Sequence, residues 1–262
     1  MSAFELSKWY ADCVSEQGDA TILYHAELRL GRVPLHYENL VVKEGQSPAL
    51  SLYSLRRGHP PAVEGDRIEW RSPEWEARGV WSDLGSAHHE VLFESEAGSL
   101  EWNCFAPRAA ACVQIGAGEP AHGWGYAEFL RLTIAPWKLP IRRLRWGRFV
   151  NATDALVWID WSGPYNKQVV YMNGSLETAE NINDDEVVLA DRRASLHFEE
   201  RQVIRDGQLG KTALSVFSKI GNLFPASALN IRECKWLSKA VLRRPGVPDS
   251  CGWAIHEVVE WP

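Results

Sequence analysis

The chain has 262 residues, 45% of them apolar and 24% charged, with a formal net charge of −6. That is long enough for one large domain or two of ordinary size, and the apolar share is that of an ordinary globular protein. The 28 basic residues are scattered apart from an Arg142–Arg148 cluster, which excludes nucleic-acid binding on the scale of a basic domain.

Leu6, Trp9, Tyr10, Cys13 and Val14 recur at helical spacing, which predicts a short amphipathic helix over residues 5–15 with Ser2 as its cap. The stretch 16–20 ends it. From Thr21 onward the pattern becomes short apolar–polar alternation broken by turn residues. It predicts strands at 21–30, 37–43, 48–56, 66–71, 78–82, 88–95, 99–105 and 110–116 in the first half. In the second half it predicts 123–134, 143–150, 154–161, 167–172, 185–190, 195–205, 209–218, 230–241 and 252–261. Asn173-Gly174 and Asp206-Gly207 are hairpin signals, with Ala97-Gly98 and Ser72-Pro73 as weaker ones. Many short strands and few helical patterns read as an all-β chain of barrels or sandwiches.

Two internal echoes point to duplication. Residues 28–33 (LRLGRV) echo 144–149 (LRWGRF), and 123–128 (GWGYAE) echo 252–257 (GWAIHE), at offsets of 116 and 129 residues. Cys104 precedes Trp124, and Cys234 precedes Trp253, by similar intervals. Two β-modules are therefore expected, residues 1–135 and 136–262.

The chemistry concentrates between Trp124 and Phe149. In strand 123–131 the residues Trp124, Tyr126, Glu128 and Leu130 share one face. A carboxyl set among aromatic rings in a barrel lumen would be desolvated, kept protonated and able to donate a proton. The alternative is that Glu128 is paired across the sheet with Arg148. In the strand 143–150, Trp146 and Arg148 share a face, either to hold an acidic group or as a structural stack. In the next strand Leu156, Trp158 and Asp160 share a face; Asp160 is a second candidate acid or a cap for the turn that follows. His122 precedes the Gly123 turn, within reach of a pocket mouth. Thirteen Trp against two Met favour rigid aromatic walls over an adaptable surface.

Other chemistries lack their usual signatures. No metal-ligand spacing is present, so no metal is expected. The five Cys (Cys13, Cys104, Cys112, Cys234 and Cys251) are odd in number and form no CxxC pair, which argues against a disulfide framework or a structural zinc. There is no phosphate-binding glycine loop and no GxSxG elbow. The start of the chain lacks signal-peptide features and no stretch approaches the roughly 20 apolar residues of a transmembrane span, so a cytoplasmic protein without a transmembrane segment is expected.

The segments 101–107 (EWNCFAP), 123–128 (GWGYAE), 136–141 (PWKLPI) and 144–148 (LRWGR) resemble the hydroxyneurosporene synthase (carotenoid 1,2-hydratase) superfamily, with kievitone hydratase and lipocalin-like Diels–Alderase relatives. The similarity runs from about Leu100 to Gly210. Where the family often has a Tyr-His-Asp-like stretch, this chain has Tyr126-Ala127-Glu128. The resemblance implies two lipocalin-like antiparallel β-barrel modules packed together. It also implies a pocket for an isoprenoid or polyketide-like molecule and cofactor-free hydration, cyclisation or isomerisation of a C=C bond.

The leading expectation is therefore a lyase (hydratase) or a cyclase/isomerase that works without a cofactor. Glu128 or Asp160 would be its acid, with Tyr126 and Arg148 assisting. Trp102, Trp124, Trp146, Trp158 and His122 would shape the site for a hydrophobic small-molecule substrate. Two rival expectations remain: a non-catalytic carrier of a lipophilic ligand, and a structural remnant with filled barrels.

Overall fold

The computed structural model describes residues 4–220 and 224–262. The chain divides into two compact units, Met1–Lys138 and Leu139–Pro262. Unit 1 contains β1 (Phe4–Val14), β2 (Ala20–Leu30), β3 (Val33–Lys43), β4 (Leu50–Ser54), β5 (Ala62–Glu64), β6 (Arg67–Ser72), β7 (Ala77–Ser82), β8 (His88–Ser95), β9 (Gly98–Ile115) and β10 (Ala121–Leu132). These form one sheet in the order β4-β3-β2-β1-β10-β9-β7-β6-β5, with β8 also paired to β9. Unit 2 contains β11 (Arg143–Val150), β12 (Ala155–Ser162), β13 (Lys167–Met172), β14 (Ser175–Glu177), β15 (Ala179–Ile182), β16 (Glu186–Leu189), β17 (Ser195–Gln208), the short helix α1 (Ala226–Leu229), β18 (Arg232–Arg244) and β19 (Val247–Glu260). Its sheet order is β14-β13-β12-β11-β19-β18-β17-β16-β15. No helix of the described residues is long and apolar enough to cross a membrane.

Each sheet curls around its own apolar core. In unit 1, Ala11, Cys13, Leu23, Leu40, Ile68, Trp70, Trp81, Ala109, Ala111 and Ala127 belong to one buried cluster. Small residues on β9 and β10 leave room there for indole rings. A Cβ on Gly125 would lie 2.7 Å from the Trp81 Nε1. Glu38 on β3 meets Ser72 on β6 across this interior, at 3.3 Å. In unit 2 the core contains Phe149, Leu156, Trp158, Val170, Leu189, Leu196, Leu242 and Ala254. Gly147 is required beneath Trp158, because a Cβ there would lie 2.1 Å from Trp158 Cζ2.

A buried ion cluster ties several loops and strand ends of unit 2. Asp154, in the turn before β12, accepts bonds from Arg244 Nη1 (2.8 Å) and Nη2 (3.1 Å), Ser250 (2.6 Å), Asn173 (3.0 Å) and Thr153 (3.1 Å). Burial pushes the carboxyl up, but these donors together outweigh it and hold it below its ordinary value of 3.8.

The two units repeat one topology. β1 to β4 correspond to β11 to β14, β10 and β9 to β19 and β18, and β7, β6 and β5 to β17, β16 and β15. Val14 pairs with Trp124 in unit 1, and Val150 pairs with Trp253 in unit 2. The echo of 123–128 in 252–257 therefore occupies the same place in both sheets. The echo of 28–33 in 144–149 does not. Residues 28–33 span the β2–β3 turn, whereas 144–149 lie within β11. Cys104 and Cys234 are not equivalent either, since Glu128 pairs with Cys104 but Glu257 pairs with Lys235.

Several expected elements differ. Residues 5–15 form strand β1 and not a helix. Trp9, Ala11 and Cys13 point to the core side and Tyr10, Asp12 and Val14 to the other side, and both faces are largely buried. A strand covered on both faces loses its polar alternation, so its apolar positions fell by chance at helical spacing. Ser2 lies outside the described residues. Residues 106–109 do not break β9. A bulge opposite Tyr126 absorbs Pro107 and Arg108, as a residue without an N–H requires. Asp206-Gly207 lies inside β17, opposite Cys234 and Glu233, and is not a hairpin turn. Residues 209–214 are turn, followed by a 3₁₀ segment at Ser215–Ile220, where a strand was expected. The Asn173-Gly174 turn does join β13 to β14, and β8, β11 and β13 begin and end where the alternation places them.

Candidate functional site

The face of unit 1 opposite its apolar core carries an aromatic and acidic cluster. Register pairing sets Cys104, Glu128, Tyr10 and Tyr24 in one row across β9, β10, β1 and β2. Tyr126, Asp12 and Ile22 form the next row. All of these side chains are buried, with Glu128 only 3% exposed. The Ala127 side of β10 faces the core, so Glu128 faces away from it.

The hydrogen bonds within this cluster converge on its carboxyls. Trp102 Nε1 donates to Glu128 Oε2 at 2.6 Å, and the Tyr126 hydroxyl donates to the same oxygen at 2.7 Å. The Tyr10 hydroxyl donates to Asp12 Oδ2 at 2.8 Å. The Tyr10 ring sits edge-on to Tyr24 and to Tyr126, with centroids 5.2 and 6.0 Å away. Burial holds the Tyr126 phenol well above its ordinary value, reinforced by Cys104 and Glu128. Burial first, and then Glu128, push the Cys104 thiol up. Both groups therefore stay neutral, and Tyr126 acts as a hydrogen-bond donor and not as a base.

The remaining predicted residues are spread over other positions. Trp124 lies further along the Glu128 face of β10, with the Arg108 guanidinium 5.4 Å from its ring centroid. His122 is exposed, 4.0 Å from Cys112. It is six residues from Glu128, about 20 Å along an extended strand. Trp158 is part of the core of unit 2. Asp160 lies on the core side of the same sheet, opposite Arg145 and Gln168 in register. Burial raises its carboxyl, while Gln168 and Arg145 pull it down. Trp146 and Arg148 occupy the other side of that sheet, so the sheet itself separates Asp160 from Arg148. Arg148 is fully buried and donates to the Trp253 carbonyl at 2.8 Å. Lys235 lies over the Trp146 ring at 5.3 Å and pairs with Glu257.

Sequence reasoning missed Tyr10, Asp12, Tyr24, Cys104 and Lys235. Tyr10 and Asp12 were hidden by the helical reading of β1; as strand residues two apart, they share a face. Corresponding positions in the two units carry different chemistry. Asp12 in unit 1 matches Arg148 in unit 2, Tyr10 matches Trp146, and Glu128 matches Glu257. Among the described residues, no three His, Cys, Asp or Glu side chains come together as a metal would need.

No protein-family model matches the chain, and no curated protein matches it in sequence. Solved structures do match. CghA superimposes with a TM-score of 0.60 over 99% of this chain and 89% of its own, at 11% identity. Kievitone hydratase from Nectria haematococca gives 0.58 over 99% and 89%, at 8% identity. This chain shares their fold. CghA with Sch210972 gives 0.57 over 98% of this chain and 89% of its own, at 10% identity. The two-module, lipocalin-like all-β architecture thus extends over nearly the whole chain, as the resemblance in the sequence implies.

Proposed function

We propose that this protein is a cofactor-independent enzyme acting on a hydrophobic, unsaturated small molecule. The reaction is acid-assisted hydration, cyclisation or isomerisation of a carbon–carbon double bond. The observation that carries this reading is the Glu128 carboxyl, buried among aromatic rings with Trp102 and Tyr126 donating to one of its oxygens. In this reading the protonated form of Glu128 delivers its proton to an alkene carbon or hydrogen-bonds a carbonyl. As the proton leaves, Oε2 gains negative charge, and the two donors already in place strengthen with it. The π faces of Tyr10, Tyr24, Tyr126 and Trp102 stabilise the positive charge that develops on carbon. A hydratase of the same fold, and CghA with the small molecule Sch210972, support the choice of reaction and substrate class.

The test begins with mass spectrometry of apolar molecules that co-purify with the native protein. The identified compound and its unsaturated precursors are then incubated in D2O. The wild-type protein places deuterium on carbon, and Glu128→Gln lowers the rate by about 10²–10⁴-fold, the usual contribution of a general acid. A Glu128→Gln protein with an unchanged rate refutes the assignment.

A further inference from the structure

The interior of unit 1 holds a second group of polar side chains, on the opposite face of the sheet from Glu128. The two-residue loop between β2 and β3 uses the positive φ of Gly31 (59°) and sets the register that places His25 opposite Glu38. Both residues are only 3% exposed, and His25 Nδ1 lies 3.1 Å from Glu38 Oε1. Ser72 donates to the other carboxylate oxygen. The 55–61 loop closes over the carboxylate at Gly58, where a Cβ would lie 2.0 Å from Glu38 Oε1. The pair is thus built in from three sides.

Its far end is open in hydrogen-bonding terms. His25 Nε2 is buried and has no partner among the described residues, and the same holds for Trp70 Nε1 in the same interior. A buried polar atom left unpaired costs about 1–3 kcal/mol, so two of them in one interior mark a place for a polar group from outside the chain. With Nδ1–H given to Glu38, Nε2 offers a lone pair to a donor, while Trp70 N–H needs an acceptor. A hydroxyl is a small group that can donate to Nε2. The cross-strand neighbour of His25 is Trp9. Its ring packs on Phe105 and Phe129 at 5.1 and 5.2 Å, and all three rings are only partly buried. Stacked on Phe105 at 21° and tilted by 48° to Phe129, the Trp9 ring forms an apolar wall beside His25.

In the equivalent row of unit 2 the corresponding side chains have partners within the chain. There Asp160 stands for His25 and Gln168 for Glu38. Asp160 is bonded to Gln168 and lies beside Arg145, and the Gln168 side chain also accepts from the Ala179 backbone at 3.0 Å.

We propose that the His25–Glu38 pair and the Trp9–Phe105–Phe129 rings form a binding site, within unit 1, for a planar apolar molecule bearing a hydroxyl group. The ligand stacks on the rings and gives its hydroxyl proton to a hydrogen bond with His25 Nε2. This site is separate from the Glu128 cluster.

The probes are 2-naphthol and 2-methoxynaphthalene, which differ in the hydroxyl hydrogen. Calorimetry measures their affinity for the whole chain, and ¹⁵N resonances assigned by through-bond correlation report on His25. The wild-type protein binds 2-naphthol about tenfold more tightly than the methyl ether, one hydrogen bond's worth. The His25 Nε2 resonance moves only with 2-naphthol. His25→Phe abolishes the preference, and Glu128→Gln leaves it intact. Equal affinity for the two probes, an unmoved His25 resonance, a preference that survives His25→Phe, or no binding of 2-naphthol each overturn the proposal. The resonance readout on the wild-type protein stands even if His25→Phe does not fold.

Discussion

Asp154→Asn is a nearly isosteric change that removes charge from the centre of the unit 2 ion cluster. The bidentate pair with Arg244 then loses its Coulomb attraction, and the new amide nitrogen faces donors it cannot accept from. Breaking a fully buried pair on one side costs about 3–5 kcal/mol. Arg244 is 23% exposed and so partly rehydrated when the pair is broken, which brings the expected loss down to about 2–3 kcal/mol. At roughly 2–4 °C per kcal/mol for chains approaching this length, the melting temperature falls by about 4–12 °C. Guanidinium denaturation of the whole chain, followed by tryptophan fluorescence, measures the free energy directly.

The same cluster predicts a pH dependence. A carboxyl held below its ordinary value contributes stability above pH 3.8, and that contribution disappears as pH falls through its folded-state value. The wild-type advantage over Asp154→Asn therefore shrinks under acid conditions. Arg244→Ala and the double variant complete a cycle; because the two residues share bonds, their effects should be far from additive. A loss below 0.5 kcal/mol, on the order of an ordinary surface substitution, or an additive double variant, refutes the argument that this cluster pins the strand ends.

Two further outcomes follow from the core of unit 2. His256, stacked on Phe198 at 4.1 Å and 2.8 Å from the Ser238 hydroxyl, is pushed down to about 3 by burial and then by the Arg201 charge. The unfolded chain takes up this proton near pH 6.5 and the folded chain does not, so stability is lost as pH falls from 6.5 toward 3. Between pH 6.5 and 5, His256→Gln should flatten the slope of unfolding free energy by up to about 1.4 kcal/mol per pH unit; an unchanged slope contradicts a neutral His256. Gly147→Ala puts a methyl against Trp158 and His256 and should cost about 2–3 kcal/mol as overpacking, with an unshifted denaturation midpoint as the opposing result.

The all-β class and many strand limits were legible because strands with one exposed face carry visible alternation. β6 is such a case, with Ile68 and Trp70 buried between Arg67, Glu69 and Arg71, and its observed limits lie within one residue of those the pattern gives. β10 shows the limit. Gly125, Tyr126, Ala127 and Glu128 are all buried, so the pattern separates two faces but does not say which one meets the core. Tyr126, Glu128 and Trp102 could be proposed as a group because two of them share a strand face. Tyr10 and Asp12 could not, since β1 reads as a helix when both faces are covered. His25 and Glu38 are 13 residues apart, and only the β2–β3 register brings them together. That register depends on a turn whose geometry lies in one glycine's backbone, not in any side-chain pattern.

The strand order has a consequence for how the chain behaves in a crowded solution. Each sheet ends in its shortest strands: β4 and β5 have five and three residues, and β14 and β15 have three and four. β8, which branches from β9, carries a register shift between Val91 and Phe93. Long strands such as β9 are paired along both sides. The end strands are therefore too short to template a neighbouring molecule, and β17, whose residues beyond His197 pair only with β18, is interrupted by two register shifts and carries Glu199, Glu200 and Arg201. A chain with this much β-structure thus has little margin on which strand-by-strand aggregation could begin.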